Sequence, residues 1–237
     1  MLLLDPQIFQ SEYKGHGYRK YADQLAAFGR TEEAIVFFKK AEELYKKVID
    51  SKGISSFADS DAANLANLAK SYKIAGDLEG ALAIVEYLTY DVAPYQDLAT
   101  VYGRTFSAAR IIADAYLEDG ETEAARQIVN LMLLLADNTP AHFGYYKYRV
   151  LNWVDTASRY ADLEDADAVR GIYEKIAAIR LDDGLDNKTG SKTITYMGSM
   201  ALTLYRIGEY STAWDLIATL PDGPKDLYQS KALKSLA

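Results

Sequence analysis

Apolar positions along this chain recur three and four residues apart, the spacing of one face of a helix, and the stripes break off at regular places. The stretch "NLAKSYKIAGDLEGALAIV", Asn67 to Val85, shows the unit: a small residue, a tyrosine, a Gly-Asp break, a second small residue and an apolar run. Its small anchors, Ala69 and Ala81, lie twelve residues apart. The same pair returns as Ala22 and Ala34, Ala113 and Ala125, and Ala201 and Ala213, with a weaker copy at Ala157 and Val169. Successive first anchors are spaced by 47, 44, 44 and 44 residues, a regularity that chance does not produce.

Seven residues after the first anchor stand Gly29, Gly76, Gly120 and Gly208. Glycine at that place ends a helix by entering the left-handed region. Thr31, Asp77, Thr122 and Ser211 follow as capping-type residues for a second helix. In the fourth copy Glu164 replaces the glycine, and Asp165 or Asp167 is the capping candidate. Each unit therefore reads as helix, tight turn, helix. The small anchors mark the place where the two helices approach most closely, since bulk there would overpack the crossing.

This pattern resembles tetratricopeptide repeats. Aromatic, Leu, small, Tyr, then Ala and an aromatic or apolar residue is matched by Leu65, Leu68, Ala69, Tyr72, Ala81 and Val85. Tyr18, Tyr21, Ala22, Leu25, Ala34 and Phe38 match it in the first unit, and Ala109, Ile112, Ala113, Tyr116, Ala125 and Val129 in the third. Trp153, Thr156, Ala157, Tyr160, Val169 and Tyr173 give the fourth, and Met197, Met200, Ala201, Leu204, Ala213 and Ile217 the fifth. The resemblance implies an all-α, right-handed solenoid of about five antiparallel hairpins forming one domain over 1–237. The hairpins are expected near 11–50, 60–91, 95–137, 140–181 and 192–220, with a capping helix over 224–236. The family repeat is roughly 34 residues, so about ten residues per unit need a place. Continuous apolar stripes from about Tyr95 to Leu117 and from about Phe143 to Tyr160 assign them to longer first helices, with loops over Ser51–Ser60 and Asp182–Ser191.

Composition narrows the partners. Net charge is −8, which disfavours a nucleic-acid surface and an anionic membrane, both of which need concentrated Lys and Arg. The chain has no cysteine, so disulfides, thiolate metal sites and cysteine nucleophiles are excluded. No apolar run approaches the roughly 18 residues of a membrane span. The opening MLLLDPQIFQ lacks the basic region and length of a signal core, and a cytoplasmic location is expected. Nineteen tyrosines against seven phenylalanines suit surfaces that are half buried and half wet.

In the resembled family the first helices line the partner groove. Carried over position by position, the groove residues are Arg19 and Asp23; Lys70 and Lys73; Arg110, Asp114 and Glu118; Val154, Ser158 and Asp162; and Leu202, Tyr205 and Arg206. Arg19, Lys70, Lys73 and Arg110 make a basic cluster able to receive an acidic peptide or a terminal carboxylate. The bland reading is that these charges are solvated and paired with Asp23 and Asp114. Asn67 resembles the asparagine of chaperone-tail clamps in the family, but Asp23 and Ile111 stand where that clamp needs Asn and a cation. Tyr145, Tyr146 and Tyr148 in "HFGYYKYR" form a second, aromatic candidate patch.

Signals for catalysis are sparse. His16 and His142 lie in different units, and no phosphate loop, nucleophile elbow or H-E-x-x-H is present. Asp182, Asp183 and Asp186 look like an acidic metal motif, but the surrounding Gly184, Asn187 and Gly190 read as a solvated loop. Asn187-Lys188-Thr189 is a formal glycosylation sequon. No metal or cofactor is expected. The favoured function is a non-enzymatic scaffold that binds a protein partner. The alternatives are a small-molecule or lipid-binding protein, or an enzyme, with a pocket around Trp153, Tyr145–Tyr148 and Arg149, and a structural subunit of a larger complex.

Overall fold

The structure, a computed structural model, describes residues 6–52, 59–92, 99–139, 146–182 and 191–234. Eleven α-helices occupy them: α1 (Pro6–Ala27), α2 (Thr31–Lys52), α3 (Asp59–Ile74), α4 (Leu78–Glu86), α5 (Ala99–Glu118), α6 (Thr122–Asn138), α7 (Tyr146–Asp162), α8 (Ala166–Asp182), α9 (Ser191–Arg206), α10 (Tyr210–Ala218) and α11 (Asp222–Lys234). No strand occurs among the described residues, and the class is all-α as the repeat pattern implies. The chain divides into two compact units, the first holding α1–α6 and the second α7–α11.

All ten repeat anchors, from Ala22 and Ala34 through Val169 to Ala201 and Ala213, are completely buried. The turns between them share one geometry. Gly29, Gly76, Gly120 and Gly208 have φ between 75° and 85°. The amide of the next residue then reaches five residues back: Arg30 to Leu25 O, Asp77 to Tyr72 O, Glu121 to Tyr116 O and Glu209 to Leu204 O, all at 2.9–3.0 Å. This is the Schellman closure that satisfies carbonyls left open at a helix end. The fourth turn keeps it without glycine. Glu164 sits at φ 57° and Asp165 N donates to Tyr160 O at 2.8 Å. A side chain in that conformation costs on the order of 1 kcal/mol.

The second helices of the third and fifth hairpins start earlier than the sequence suggests. Glu121 and Glu209 hold the N-cap positions expected of Thr122 and Ser211, and neither uses its side chain as a cap. Asp77 does, accepting from Gly80 N at 2.8 Å, and Asp165 accepts from Ala168 N at 3.1 Å. The extra length of the repeat is also shared rather than confined to first helices. α2 has 22 residues, and α6 and α8 have 17 each. The reason is an apolar stripe that continues along the second helix, as in Ala34, Phe38, Ala41, Tyr45 and Val48 of α2, all buried. α4 ends after nine residues and passes into a π-helical turn, Tyr87–Val92, which turns Leu88, Thr89 and Val92 inward together. Ser51 and Ser60, expected in a loop, are helical, as are Asp182 and Ser191, while 53–58 and 183–190 lie outside the described residues.

In the first unit α3 lies beside both α1 and α5, so the first helices form one layer. Phe38 of α2 packs against Tyr72 of α3 with ring centroids 5.1 Å apart, and the Tyr72 hydroxyl donates to Glu42 Oε2 at 3.1 Å. In the second unit α7 lies beside α9, and α11 covers α9 and α10. Gly198 makes that cover possible, because a Cβ there would stand 2.1 Å from the Tyr228 ring.

Two consequences are measurable. Glu164→Gly removes the left-handed strain, so the urea midpoint should rise by the equivalent of about 1 kcal/mol. An unchanged or lower midpoint would contradict the strain. Gly198→Ala should cost about 1–3 kcal/mol by overpacking Tyr228, with accelerated amide exchange over α11. Unaltered exchange there would show that α11 is not held through this contact.

Candidate functional site

The charged positions carried over from the repeat pattern meet different fates once the helices pack. On α1, Arg19 forms an ion pair with Asp23 at 3.3 Å, one turn away, with side chains 19% and 38% exposed. Its Nε is buried without a hydrogen-bond partner. Arg19 is therefore largely neutralised within its own helix. On α9, Arg206 pairs with Asp162 of α7 and donates to Ser158 Oγ at 3.4 Å. That ties the second unit's first helices together and consumes a cation assigned to the partner face. Arg170 of α8 likewise reaches Glu209 at 2.8 Å.

Lys70 of α3 and Arg110 of α5 behave otherwise. Both are half-buried, and among the described residues neither has a carboxylate within ion-pair distance. They stand near each other across neighbouring helices. The Lys70 ammonium is held below the ordinary lysine range, first by burial, then by the charges of Arg110 and Arg104. Lys73, one turn further along α3, is half-buried and also lacks an ion-pair partner among the described residues. Asp114 lies half-buried one turn beyond Arg110, and Asn67 is exposed on α3. Glu118 is exposed at the end of α5.

Arg104 was not among the sequence candidates. It lies nine residues before the anchor Ala113, outside the family's groove positions, and only the α3–α5 register brings its charge to Lys70. The one signal available was a second arginine upstream of Arg110 on the same apolar-striped helix.

Several candidates are packing residues. Tyr205 is 5% exposed, with ring centroids 4.8 Å from Tyr210 and 6.3 Å from Trp214, so it belongs to the fifth hairpin's core and not to an open face. Val154 is 4% exposed, and Leu202 is half-buried. Of the aromatic patch, Tyr148 is 44% exposed. Tyr146 opens α7, its side chain lies outside the described residues, and Tyr145 lies outside them altogether. Trp153 is buried, with Arg149 and Lys175 each 5.9 Å from its ring centroid. His142, Asp183, Asp186 and the sequon also fall outside the described residues, whereas His16 is half-buried and shares a hydrogen bond with the Tyr45 hydroxyl at 3.2 Å.

A cleft of about 250 Å³ opens in the first unit among Thr89, Tyr90, Tyr102, Leu134, Leu135 and Asn138. The Thr89 hydroxyl and the Asn138 amide are spent on the carbonyls of Val85 and Leu134. Those two groups therefore do not converge on the cleft as a small-molecule site requires. Among the described residues no group of three or more His, Asp or Glu is placed to hold a metal ion, and no helix is long and apolar enough to cross a membrane.

No family model matches the chain, and no curated protein matches it. Among solved structures, the chain is similar to nearly identical TPR-like repeats from Podosopora anserina, in a protein assigned as a kinesin light chain. Identity is 16% and the TM-score 0.45, covering 91% of this chain and 95% of that one. A point variant of the same repeats matches at 16% and 0.45, covering 92% and 96%. The repeat character of the present chain rests on its own register of buried anchors and left-handed turns.

The Lys70 environment gives a signed pH dependence. The folded ammonium releases its proton at lower pH than in the unfolded chain, so across that window the unfolded state holds more protons and stability rises with pH. Below the window the charge opposes folding in full. Lys70→Met should therefore be more stable than the wild type at pH 7, and the difference should shrink as pH approaches the ordinary lysine range near ~10.4. Chemical denaturation from pH 7 to 10.5 measures this, and a wild type more stable than Lys70→Met at pH 7 would contradict it.

Proposed function

We propose that the chain is a non-enzymatic interaction module whose first-unit face, centred on Lys70 and Arg110, holds an acidic segment of a protein partner. One observation carries the reading: two half-buried cations lie within electrostatic reach of each other on the packed helices α3 and α5, without a carboxylate partner among the described residues, in a chain of net charge −8. Such an arrangement costs energy in the free protein. An incoming carboxylate would recover it through charge-assisted hydrogen bonds that are shorter and stronger than neutral ones. Arg110 can take a carboxylate in bidentate fashion, while Lys70 and Lys73 act as mobile point charges beside it. Arg104 adds to the local field that steers an acidic partner toward the site.

The second unit does not offer the same chemistry. Arg206 and Arg170 already have carboxylates, whose negative charge opposes the approach of a further anion. The mechanism is binding to a preformed surface, with specificity set by where the partner's carboxylates fall relative to the two helices.

Peptide display selection against the full chain tests the proposal. Wild type should enrich peptides rich in Asp and Glu. A folded Lys70→Glu, Arg110→Glu variant should lose that enrichment, and an Arg206→Glu control should keep it. Re-synthesised peptides, followed by fluorescence anisotropy, should bind the double variant at least about tenfold more weakly, as expected for lost contacts to charged groups. Enrichment without acidic bias, or equal affinity for wild type and the double variant, would overturn the reading.

A further inference from the structure

The repeat register points to a second binding surface, on the outer face of the first hairpin. Three repeat positions are buried wherever a hairpin precedes within the same unit. They are Leu65, Leu68 and Ile84 in the second hairpin, and Ala109, Ile112 and Ile128 in the third. In the fifth they are Met197, Met200 and Leu216, none more than 7% exposed. The same positions in the first hairpin are Tyr18, Tyr21 and Phe37. Tyr21 is 47% exposed and the other two are half-buried, and nearby Val36 is 51% exposed. These rings form a cluster, with Phe37 4.9 Å from Tyr21 and 5.9 Å from Tyr18. No hairpin precedes them among the described residues.

Repeat geometry says what shape fits there, since the equivalent face of the second, third and fifth hairpins lies against the helices of the hairpin before it. Chemistry says what kind. Lys40 stands over the Phe37 ring at 4.6 Å and the Tyr18 ring at 5.8 Å. Lys14, one turn before Tyr18, and Lys47, two turns after Lys40, extend the rim. None of the three lysines has an ion-pair partner among the described residues. Residues 6–52 carry nine Lys and Arg against seven Asp and Glu, in a chain whose net charge is −8. A second copy would bring this positive hairpin against itself, which like-charge repulsion disfavours. Tyrosine, where the second, third and fifth hairpins carry alanine, aliphatic residues or methionine, suits a face that is sometimes wet and sometimes covered.

We infer that the Tyr18–Tyr21–Phe37 face docks an amphipathic helix of a partner protein, its apolar stripe on the rings and its flanking carboxylates on Lys14, Lys40 and Lys47. The surface stands independently of the Lys70–Arg110 site. Docking covers these rings as a preceding hairpin covers the equivalent residues of the second, third and fifth hairpins. The lysines fix orientation and exclude basic helices.

The probe is a designed, labelled helical peptide with Leu at i, i+3, i+4 and i+7 and Glu on both flanks. A counterpart has Lys at the flanking positions. Anisotropy titration of the full chain should show the Glu peptide binding at least about tenfold more tightly than the Lys peptide, weakening as salt rises. Tyr21→Glu combined with Lys40→Glu changes two exposed side chains, so folding, checked by circular dichroism, should hold while binding falls at least about tenfold. Lys70→Glu with Arg110→Glu should leave this binding unchanged. The inference is overturned if the two peptides bind alike, or if the Tyr21, Lys40 variant binds as well as wild type. It is also overturned if sedimentation equilibrium shows a dimer that this variant dissolves, which would make a second copy the occupant.

Discussion

Everything else in this chain depends on helices crossing closely enough that neither can carry bulk at the crossing. Protein interiors pack at crystal-like density, and a single added methylene at such a point is felt. Ala22 and Ala34, Ala69 and Ala81, and their later equivalents meet that demand, each with no exposed surface. The close crossing in turn demands a short connection, and the left-handed residue seven positions after each first anchor provides it. Glu164 shows how strong the demand is, since the fourth turn keeps the same closure without a glycine to ease it. With crossing and turn fixed, the first helices of a unit lie side by side, and the chemistry of that layer becomes the chemistry of the protein.

The two units use that layer differently. In the second, charges between neighbouring hairpins are settled internally, Arg206 on Asp162 and Arg170 on Glu209. Exposed pairs of this kind contribute about 0–1 kcal/mol each, but they occupy Arg206 and Arg170. In the first, the first two hairpins are joined by aromatic packing and a phenol–carboxylate bond, Phe38 on Tyr72 and Tyr72 to Glu42. Burial and then the Glu42 charge push the Tyr72 phenol upward, so it stays a donor. Those contacts do not draw on Lys70 or Arg110, and neither cation has a carboxylate within ion-pair distance among the described residues. The same unit ends in aromatic rings that no preceding hairpin covers among the described residues. The two docking surfaces we propose, one charged and one aromatic, lie where the contacts that hold the hairpins together leave side chains uncommitted.

The repeat, its turns and its buried anchors were legible in the sequence because they follow from backbone geometry and volume, which residue type and spacing record directly. Helix lengths were less so. The stripe on α2 runs on past the length of the family's second helix, and no stop signal distinguished it from the first-helix stripe. Side-chain partners were least legible. Arg19 and Tyr205 carry residue types suited to a binding face, yet Arg19 finds Asp23 and Tyr205 turns onto Tyr210 and Trp214. Arg104 joins Lys70 for the converse reason, that its neighbour comes from another helix. Caps shifted by one or two residues, as at Glu121 and Glu209, because the turn register and not the side-chain preference sets where the second helix begins.

Lys70 sits among cations, with no carboxylate within ion-pair distance among the described residues. NMR titration of its side-chain Cε and Nζ resonances in the free chain tests this most directly. The Lys70 midpoint should lie below the ordinary value of about 10.4 and move upward when a carboxylate-rich peptide occupies the face. A midpoint at or above that value in the free chain would mean that an internal carboxylate already satisfies Lys70, and the face would then have no unmet charge to offer a partner.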